Sequence, residues 1–126
     1  MTVILTEAQA AAVARDWIEA WNSNDLERVL SHYTDDFEMS SPLIVERGLD
    51  PTGVLRGKAA VGAYWGAALA GAQPRIQFEL IHAYAGVNTL VIHYRSIGRK
   101  LVTEILTFDP QRRVIRGAAC YGPPAG

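Results

Sequence analysis

Apolar and polar positions alternate through segment 101–108, which predicts a β-strand with two distinct faces. The more apolar face consists of Val102, Glu104, Leu106 and Phe108. Burying a lone charged carboxylate costs so much free energy that Glu104 is expected to take up a proton. A neutral carboxylic acid donates a hydrogen bond, and enzymes use such donors in dry pockets. The pattern therefore predicts a pocket that contains one acid.

Helical spacing begins close to the N-terminus. Thr6 and Gln9 have the spacing of a capping box, in which each side chain accepts a hydrogen bond from the other residue's backbone N–H. Val13, Trp17 and Trp21 follow at i, i+4 and i+8, which predicts one apolar stripe along a long helix. Both tryptophans are expected to pack in the core, and the indole N–H of Trp17 is a candidate ligand contact.

Two further helices and a short strand are predicted between this helix and residue 72. Asn24 is expected to cap the second helix, 34–36 to form a turn and 37–41 a strand. Segment 42–56 contains two prolines and two glycines, which predicts an irregular loop that could border a pocket. A third helix is expected after Gly57. The predicted apolar stripes are Leu26, Val29, Leu30 and Tyr33 in the second helix, and Val61, Tyr64, Trp65, Ala68 and Leu69 in the third.

Four strands are predicted in the C-terminal half, at about 75–85, 89–97, 100–108 and 113–121. Their connections are short, and short turns join antiparallel neighbours. Helices followed by strands predict an α+β fold in a single domain over residues 1–126. We expect a curved antiparallel sheet to wrap over the three helices and to leave a cone-shaped cavity.

The sheet face turned away from the helices also needs a cover. It is predicted to carry Thr89, Val91, His93, Arg95, Thr103 and Ile105. This set has too many apolar members for a face in contact with water alone. A homodimer formed through this outer face is therefore predicted.

Composition argues against several classes of protein. The formal net charge of the 126 residues is -1 with scattered Lys and Arg, so nucleic acid binding is not expected. No apolar run is long enough to span a membrane, and the N-terminus lacks the pattern of a signal peptide. Cys120 is the only cysteine, so no internal disulfide can form, which fits a cytoplasmic location. A lone cysteine in a C-terminal strand is expected to be buried. The three histidines have no metal-ligand spacing, so neither a metal nor a cofactor is expected.

Four segments carry a resemblance to a known family. They are WIEAWNSNDL at 17–26, YTDDF at 33–37, LRGKAAV at 55–61 and EILTFD at 104–109. In this order they resemble the nuclear transport factor 2-like superfamily, and within it SnoaL-like domains. The resemblance implies the cone-shaped α+β fold. It leaves function open, because this fold hosts isomerases, cyclases, dehydratases, hydrolases and proteins without activity.

Ketosteroid isomerase is an instructive relative within this resemblance. Trp17 falls where that enzyme has its oxyanion-hole tyrosine, and Glu104 falls where it has a protonated aspartic acid. Tyr33 and Trp65 fall where a tyrosine network supports the oxyanion hole. Ser41 falls where the enzyme has its general base, and a serine does not take a proton from carbon without help. The resemblance thus implies an acid without its base and argues against steroid isomerisation.

Three functions remain open on these residues. The first is binding of a small, mostly apolar, carbonyl-bearing molecule by Trp17, Tyr33, Ser41, Trp65, Tyr94, Glu104, Leu106 and Tyr121. The second is an isomerase, cyclase or dehydratase in which Glu104 is the general acid or oxyanion donor, aided by Trp17 or a tyrosine. The third is a structural or protein-binding module, in which Glu104 is a structural carboxylate paired with Trp17, Tyr33 or an arginine.

Overall fold

The chain folds as helices on one side of a six-stranded sheet. The structure, a computed structural model, describes residues 2–72 and 75–124. Its elements are α1 (Glu7–Asn22), α2 (Leu26–Leu30), β1 (Tyr33–Ser40), α3 (Pro42–Glu46), β2 (Val54–Arg56), α4 (Gly57–Gly71), β3 (Glu79–Gly86), β4 (Thr89–Arg95), a 3₁₀ turn (Ile97–Arg99), β5 (Lys100–Phe108) and β6 (Val114–Pro124). In the described segments no helix is both long and apolar enough to cross a membrane.

The sheet has the strand order β2-β1-β6-β5-β4-β3 and is curved. The antiparallel pairing of β3, β4, β5 and β6 is confirmed, as short turns predicted. β1 and β6 instead run parallel. These two strands are separated by most of the chain, so no short turn imposes an antiparallel direction on them. The predicted α+β class is confirmed, with one parallel pair in the sheet.

The start of α1 is confirmed and the cap of α2 is corrected. Thr6 Oγ1 accepts from Gln9 N at 3.1 Å, and Gln9 Oε1 accepts from Thr6 N at 2.9 Å. The cap of α2 is Asp25, which accepts from Arg28 N at 3.3 Å, and the prediction of Asn24 is wrong. Asn24 has a φ of 58°, a left-handed conformation that asparagine tolerates well, and it lies in the turn between α1 and α2.

The predicted turn at 34–36 is wrong, because these residues belong to β1. The chain bulges there: β1 advances from Tyr33 to Glu38 while β6 advances only from Val114 to Arg116. Tyr33 therefore begins a strand and does not belong to the apolar stripe of α2. The bulge leaves both Tyr33 and Phe37 buried, with ring centroids 4.4 Å apart.

Segment 42–56 is more regular than predicted. It contains α3 and β2, and β2 pairs with β1. Ser41 caps α3 by accepting a hydrogen bond from Leu43 N at 3.1 Å. Pro42 occupies the first turn, where a missing N–H costs nothing. Pro and Gly residues here lie at the ends of short helices and strands. Turn residues alone do not show that such short elements lie between them, so the sequence pattern predicts a loop.

The core lies between the inner face of the sheet and helices α1 and α4. The predicted alternation of inner and outer residues along β4 and β5 is confirmed, since Ile92, Tyr94, Val102 and Leu106 on the inner face are buried. Cys120 is exposed, so the prediction of its burial is wrong. It alternates with the buried Ala119 and lies opposite Thr103, which places it on the outer face.

Candidate ligand-binding cavity

A cavity of about 480 Å³ lies between α1, α4 and the inner face of the sheet. This central cavity has a buried end, lined by Trp17, Trp21, Met39, Trp65, Ile76, Tyr94 and Glu104. Its open end is marked by the exposed lining residues Arg47, Ala67, Gly71, Ile97 and Lys100. Its size and its mostly apolar lining with few polar groups are typical of small-molecule sites.

Glu104 is the acid of the central cavity, as the strand pattern predicted. It lies in β5 between Ile92 of β4 and Ala119 of β6, and only 4% of it is exposed. Its Oε2 atom is buried and has no hydrogen-bond partner among the described residues. Burial raises the pKa of Glu104 to about 8, so the side chain is mostly neutral at pH 7. A neutral Glu104 can donate a hydrogen bond into the cavity.

Trp17 uses its indole N–H within the protein. Trp17 Nε1 donates to the Tyr33 hydroxyl at 3.0 Å, and both residues are 1% exposed. The N–H is therefore not free for a ligand, although the ring lines the central cavity. The structural pairing of Glu104 with Trp17 or Tyr33 is not found either, since Glu104 Oε2 has no partner in the described chain.

Trp21 is a polar cavity residue that sequence reasoning missed. It lines the central cavity, and its Nε1 is buried without a hydrogen-bond partner in the described residues. It lies one turn after Trp17 in α1, with the two ring centroids 6.0 Å apart. Helical spacing places both rings on the core side, but it does not show which N–H finds a partner.

Tyrosine hydroxyls are the other polar groups around the acid. Burial raises the pKa of Tyr121 to about 12, partly offset by the Ser41 side chain. Burial and the nearby Glu104 raise the pKa of Tyr94 as well. Burial also raises the pKa of Tyr64, which the Ser41 side chain and Arg47 partly lower. All three phenols are therefore neutral at pH 7, and each has an O–H to donate.

The structure separates the predicted site residues into two groups. Trp17, Trp65, Tyr94, Glu104 and Tyr121 line the central cavity, whereas Tyr33, Ser41 and Leu106 lie outside its lining. The hydroxyl of Tyr33 faces Trp17, and Ser41 caps α3.

Leu106 packs in the space beside Gly117 of β6. A Cβ atom on Gly117 would lie 3.2 Å from Met39 Sδ and 3.7 Å from a methyl carbon of Leu106. Protein side chains fill that space, so the central cavity does not extend over Gly117.

Among the described residues, the lining offers no general base besides Glu104 itself. Glu104 is the one acidic member, and no histidine lines the central cavity in the described part of the chain. His93 lies directly opposite His82 across β3 and β4, and both have the parity of the outer face. Within residues 2–72 and 75–124 no group of three or more His, Cys, Asp or Glu is placed to hold a metal. While Glu104 carries its proton, the arrangement can donate protons and hydrogen bonds, and a proton lost from carbon must pass to water or to the ligand itself.

Comparison with known proteins identifies the family. Residues 14–122 match the family model of the SnoaL-like domain. A solved SnoaL-like protein of unknown function from Burkholderia thailandensis E264 is 48% identical, with a TM-score of 0.90 over 95% of this chain and 99% of that chain. An NTF-2-like protein of unknown function from Burkholderia xenovorans LB400 is 17% identical, with a TM-score of 0.70 over 95% and 88% of the two chains. A comparison with curated proteins found no match.

A further solved structure is the epoxide hydrolase/cyclase-like enzyme SalBIII, described in pyran ring formation in the polyether salinomycin. It is 18% identical, with a TM-score of 0.65 over 92% of both chains. At such low identity, this structure and the Burkholderia xenovorans one show the fold alone. The family model and the relative at 48% identity show more. The chain therefore belongs to the SnoaL-like family and has the nuclear transport factor 2-like fold.

Proposed function

We propose that the central cavity binds a small, mostly apolar molecule whose carbonyl oxygen accepts a hydrogen bond from neutral Glu104. The observation that carries this proposal is the unpaired Oε2 of Glu104 at the buried end of an aromatic-lined cavity. A buried polar atom without a partner costs about 1–3 kcal/mol. A ligand that accepts a hydrogen bond from Glu104 removes this cost. In a protein without a ligand the cost would remain, and an apolar residue at this position would avoid it.

A second donor supports the same class of ligand. The indole N–H of Trp21 is also buried, unpaired in the described chain and part of the lining. A neutral carboxylic acid and an indole N–H both offer hydrogen atoms, so both favour a ligand with acceptor oxygens. The surrounding rings of Trp17, Trp65 and Tyr94 supply apolar contact area for the ligand's carbon skeleton.

A structural role for Glu104 is less well supported. Its Oε2 accepts no hydrogen bond from an arginine, tryptophan or tyrosine in residues 2–72 and 75–124. A buried acid without such a partner does not stabilise the fold. The unpaired atom thus favours a ligand over the structural module.

An enzyme is the second candidate, and the neutral acid favours it. With a pKa of about 8, Glu104 can deliver a proton to a ligand oxygen near neutral pH, next to the neutral phenol of Tyr94. SalBIII, which shares the fold, is a cyclase-like enzyme, and this agrees with acid catalysis without showing it for this chain. Since Glu104 acts here as the acid and the described lining has no other base, the substrate or a water molecule would have to accept the proton lost elsewhere. In this case Glu104→Gln would retain binding and lose turnover.

The proposed function is tested by titrating a panel of steroid-, terpene- and polyketide-like ketones against wild type, Glu104→Gln and Glu104→Leu at pH 6 and 9.5. Wild type is expected to bind a ketone at pH 6 and to bind it about tenfold more weakly at pH 9.5, where ionised Glu104 no longer donates. Glu104→Gln retains an N–H donor and should bind equally at both pH values. Glu104→Leu should bind weakly at both.

The matched control is Glu79→Gln, which removes an exposed carboxylate that is paired with Arg95 and is not part of the lining. It should bind ketones as wild type does at both pH values. A ketone that binds wild type and Glu104→Leu with equal affinity would remove Glu104 from the site. Absence of binding across the panel would argue for the structural module.

A further inference from the structure

Two cations border the open end of the central cavity. Arg47, which follows α3, and Lys100, which begins β5, are both exposed and both line the cavity. The chain as a whole has a formal net charge of -1, so a pair of cations at one opening does not follow from composition. The two residues are 53 positions apart in the chain, and only the fold brings them to the same opening.

Each cation is held over an aromatic ring of the lining. The guanidinium carbon of Arg47 lies 5.6 Å from the ring centroid of Tyr64, and Lys100 Nζ lies 5.2 Å from that of Tyr121. At these distances a cation is attracted by the face of an aromatic ring. The contacts hold both charges at the cavity, where flexible exposed side chains would otherwise extend into water.

Neither cation is neutralised by a carboxylate in the described chain. The salt bridges there use Arg28, His32, Arg56, Lys58, Arg95, Arg113 and Arg116, and not Arg47 or Lys100. The one acid of the lining is Glu104, at the buried end. Positive charge at a concave opening attracts anions, because the low-dielectric apolar walls concentrate its field in the opening.

From this geometry we infer that the ligand of the central cavity is an organic anion, with its apolar, carbonyl-bearing part inside and a carboxylate or similar oxyanion at the opening. The inference rests on the proposed function and adds to it the charge and direction of the ligand. The guanidinium of Arg47 can bind an oxyanion through two parallel hydrogen bonds, and Lys100 adds a point charge. Glu104 would then bind the carbonyl end of the ligand, and Arg47 and Lys100 would bind its anionic end.

Two fluorescent probes of nearly the same shape test the inference. 8-Anilinonaphthalene-1-sulfonate is an anion, and N-phenyl-1-naphthylamine is the same ring system without the sulfonate. Both are titrated into wild type, Arg47→Gln/Lys100→Gln, Arg99→Gln and Ala68→Trp. Ala68→Trp places a large ring in the lining, and Arg99→Gln removes a neighbouring exposed cation outside the lining.

Wild type should bind the anionic probe more tightly than the neutral one, and this preference should decrease with salt. The double variant should lose about tenfold in affinity for the anionic probe, as expected for two partly exposed ion pairs, and should keep its affinity for the neutral probe. Arg99→Gln should resemble wild type, and Ala68→Trp should weaken both probes.

Different results separate the inference from the proposed function. Equal binding of both probes by wild type, or an unchanged preference in the double variant, overturns the inference and leaves the apolar cavity of the proposed function standing. If Arg99→Gln loses as much affinity for the anionic probe as the double variant, the attraction is a general property of the surface, and the inference is overturned as well. Failure of both probes to bind, or binding that Ala68→Trp does not weaken, overturns the proposed function and the inference together.

Discussion

The indole Nε1 of Trp17 donates a buried hydrogen bond of 3.0 Å to the hydroxyl of Tyr33, joining the middle of α1 to the first residue of β1. The bond explains why Trp17 contributes its ring, and not its N–H, to the central cavity. Trp21 is the cavity tryptophan whose N–H is buried and has no partner in the described chain. The polar contacts of the cavity therefore differ from those that the resemblance to ketosteroid isomerase implies.

Tyr33→Phe should lower the free energy of unfolding by about 1–3 kcal/mol, because it leaves the Trp17 N–H buried without an acceptor. Trp17→Phe/Tyr33→Phe should be less destabilised than the sum of the two single changes, since neither partner is then left unpaired. Urea unfolding of the four proteins measures this coupling. Additive losses would show that the hydrogen bond contributes nothing.

The stability difference between wild type and Glu104→Gln should depend on pH. The folded pKa of Glu104, about 8, lies above its ordinary value of 4.5, so its contribution is fully present below pH 4.5. Between pH 4.5 and 8 the unfolded chain releases the proton and the folded chain keeps it, so stability falls as pH rises. The loss is on the order of 4 kcal/mol by pH 8.

Urea unfolding at pH 5, 7 and 9 measures this effect. Glu104→Gln should gain stability relative to wild type at each step to higher pH. Glu79→Gln is the control, because its carboxylate is exposed and it retains Glu104. A constant difference between wild type and Glu104→Gln across this range would show that Glu104 ionises normally in the folded protein.

Trp21→Phe should weaken ketone binding about tenfold while changing stability little. Removing an N–H that has no partner among the described residues relieves a desolvation cost and partly offsets the loss of ring contacts. Trp17→Phe is the matched comparison in the same helix, since its N–H is already used by Tyr33. It should cost stability and should affect affinity less. Both variants are titrated with the same ketone. A larger loss of affinity in Trp17→Phe than in Trp21→Phe would contradict the assignment of Trp21 as the ligand donor.

Gly117→Ala should destabilise the fold by about 1 kcal/mol, because the added methyl group approaches Met39 Sδ to 3.2 Å and the flexible thioether must shift. Gly71→Ala is the control, since it meets nothing within 4 Å and lies at the end of α4. It should be neutral or slightly stabilising. Thermal unfolding compares the two, and an equally tolerated Gly117→Ala would show that this part of the core is loosely packed.

The outer face of the sheet is predicted to form a homodimer. Val91, Ile105 and Ala118 lie in one row across β4, β5 and β6, and the half-exposed Tyr84 pairs with Val91. Ile105→Glu places a charge in this row and should convert a dimer to a monomer in light scattering coupled to size-exclusion chromatography. Val87→Glu, in the exposed β3–β4 turn, should leave the dimer intact. A monomeric wild type, or a dimeric Ile105→Glu, would contradict the prediction.

The sequence by itself determined the α+β fold and the place of its one buried acid. A capping box and period-two alternation are local signals, so α1 and the inner faces of β4 and β5 could be predicted without knowing their partners. Glu104 was identified for this reason: a strand with one apolar face buries every second side chain, whichever strands lie beside it.

The tertiary structure alone decided which polar groups of the cavity remain free and where charge collects. Helical spacing placed Trp17 and Trp21 on the same side, but the hydroxyl that pairs with Trp17 comes from β1. The bulge at 34–36 depends on the parallel pairing of β1 with β6, which no local turn signals. Arg47 and Lys100 likewise meet at one opening only after folding. Hydrogen bonds and charge pairs between distant segments depend on how the helices and strands pack. The pattern of apolar and polar residues within one helix or strand does not determine that packing.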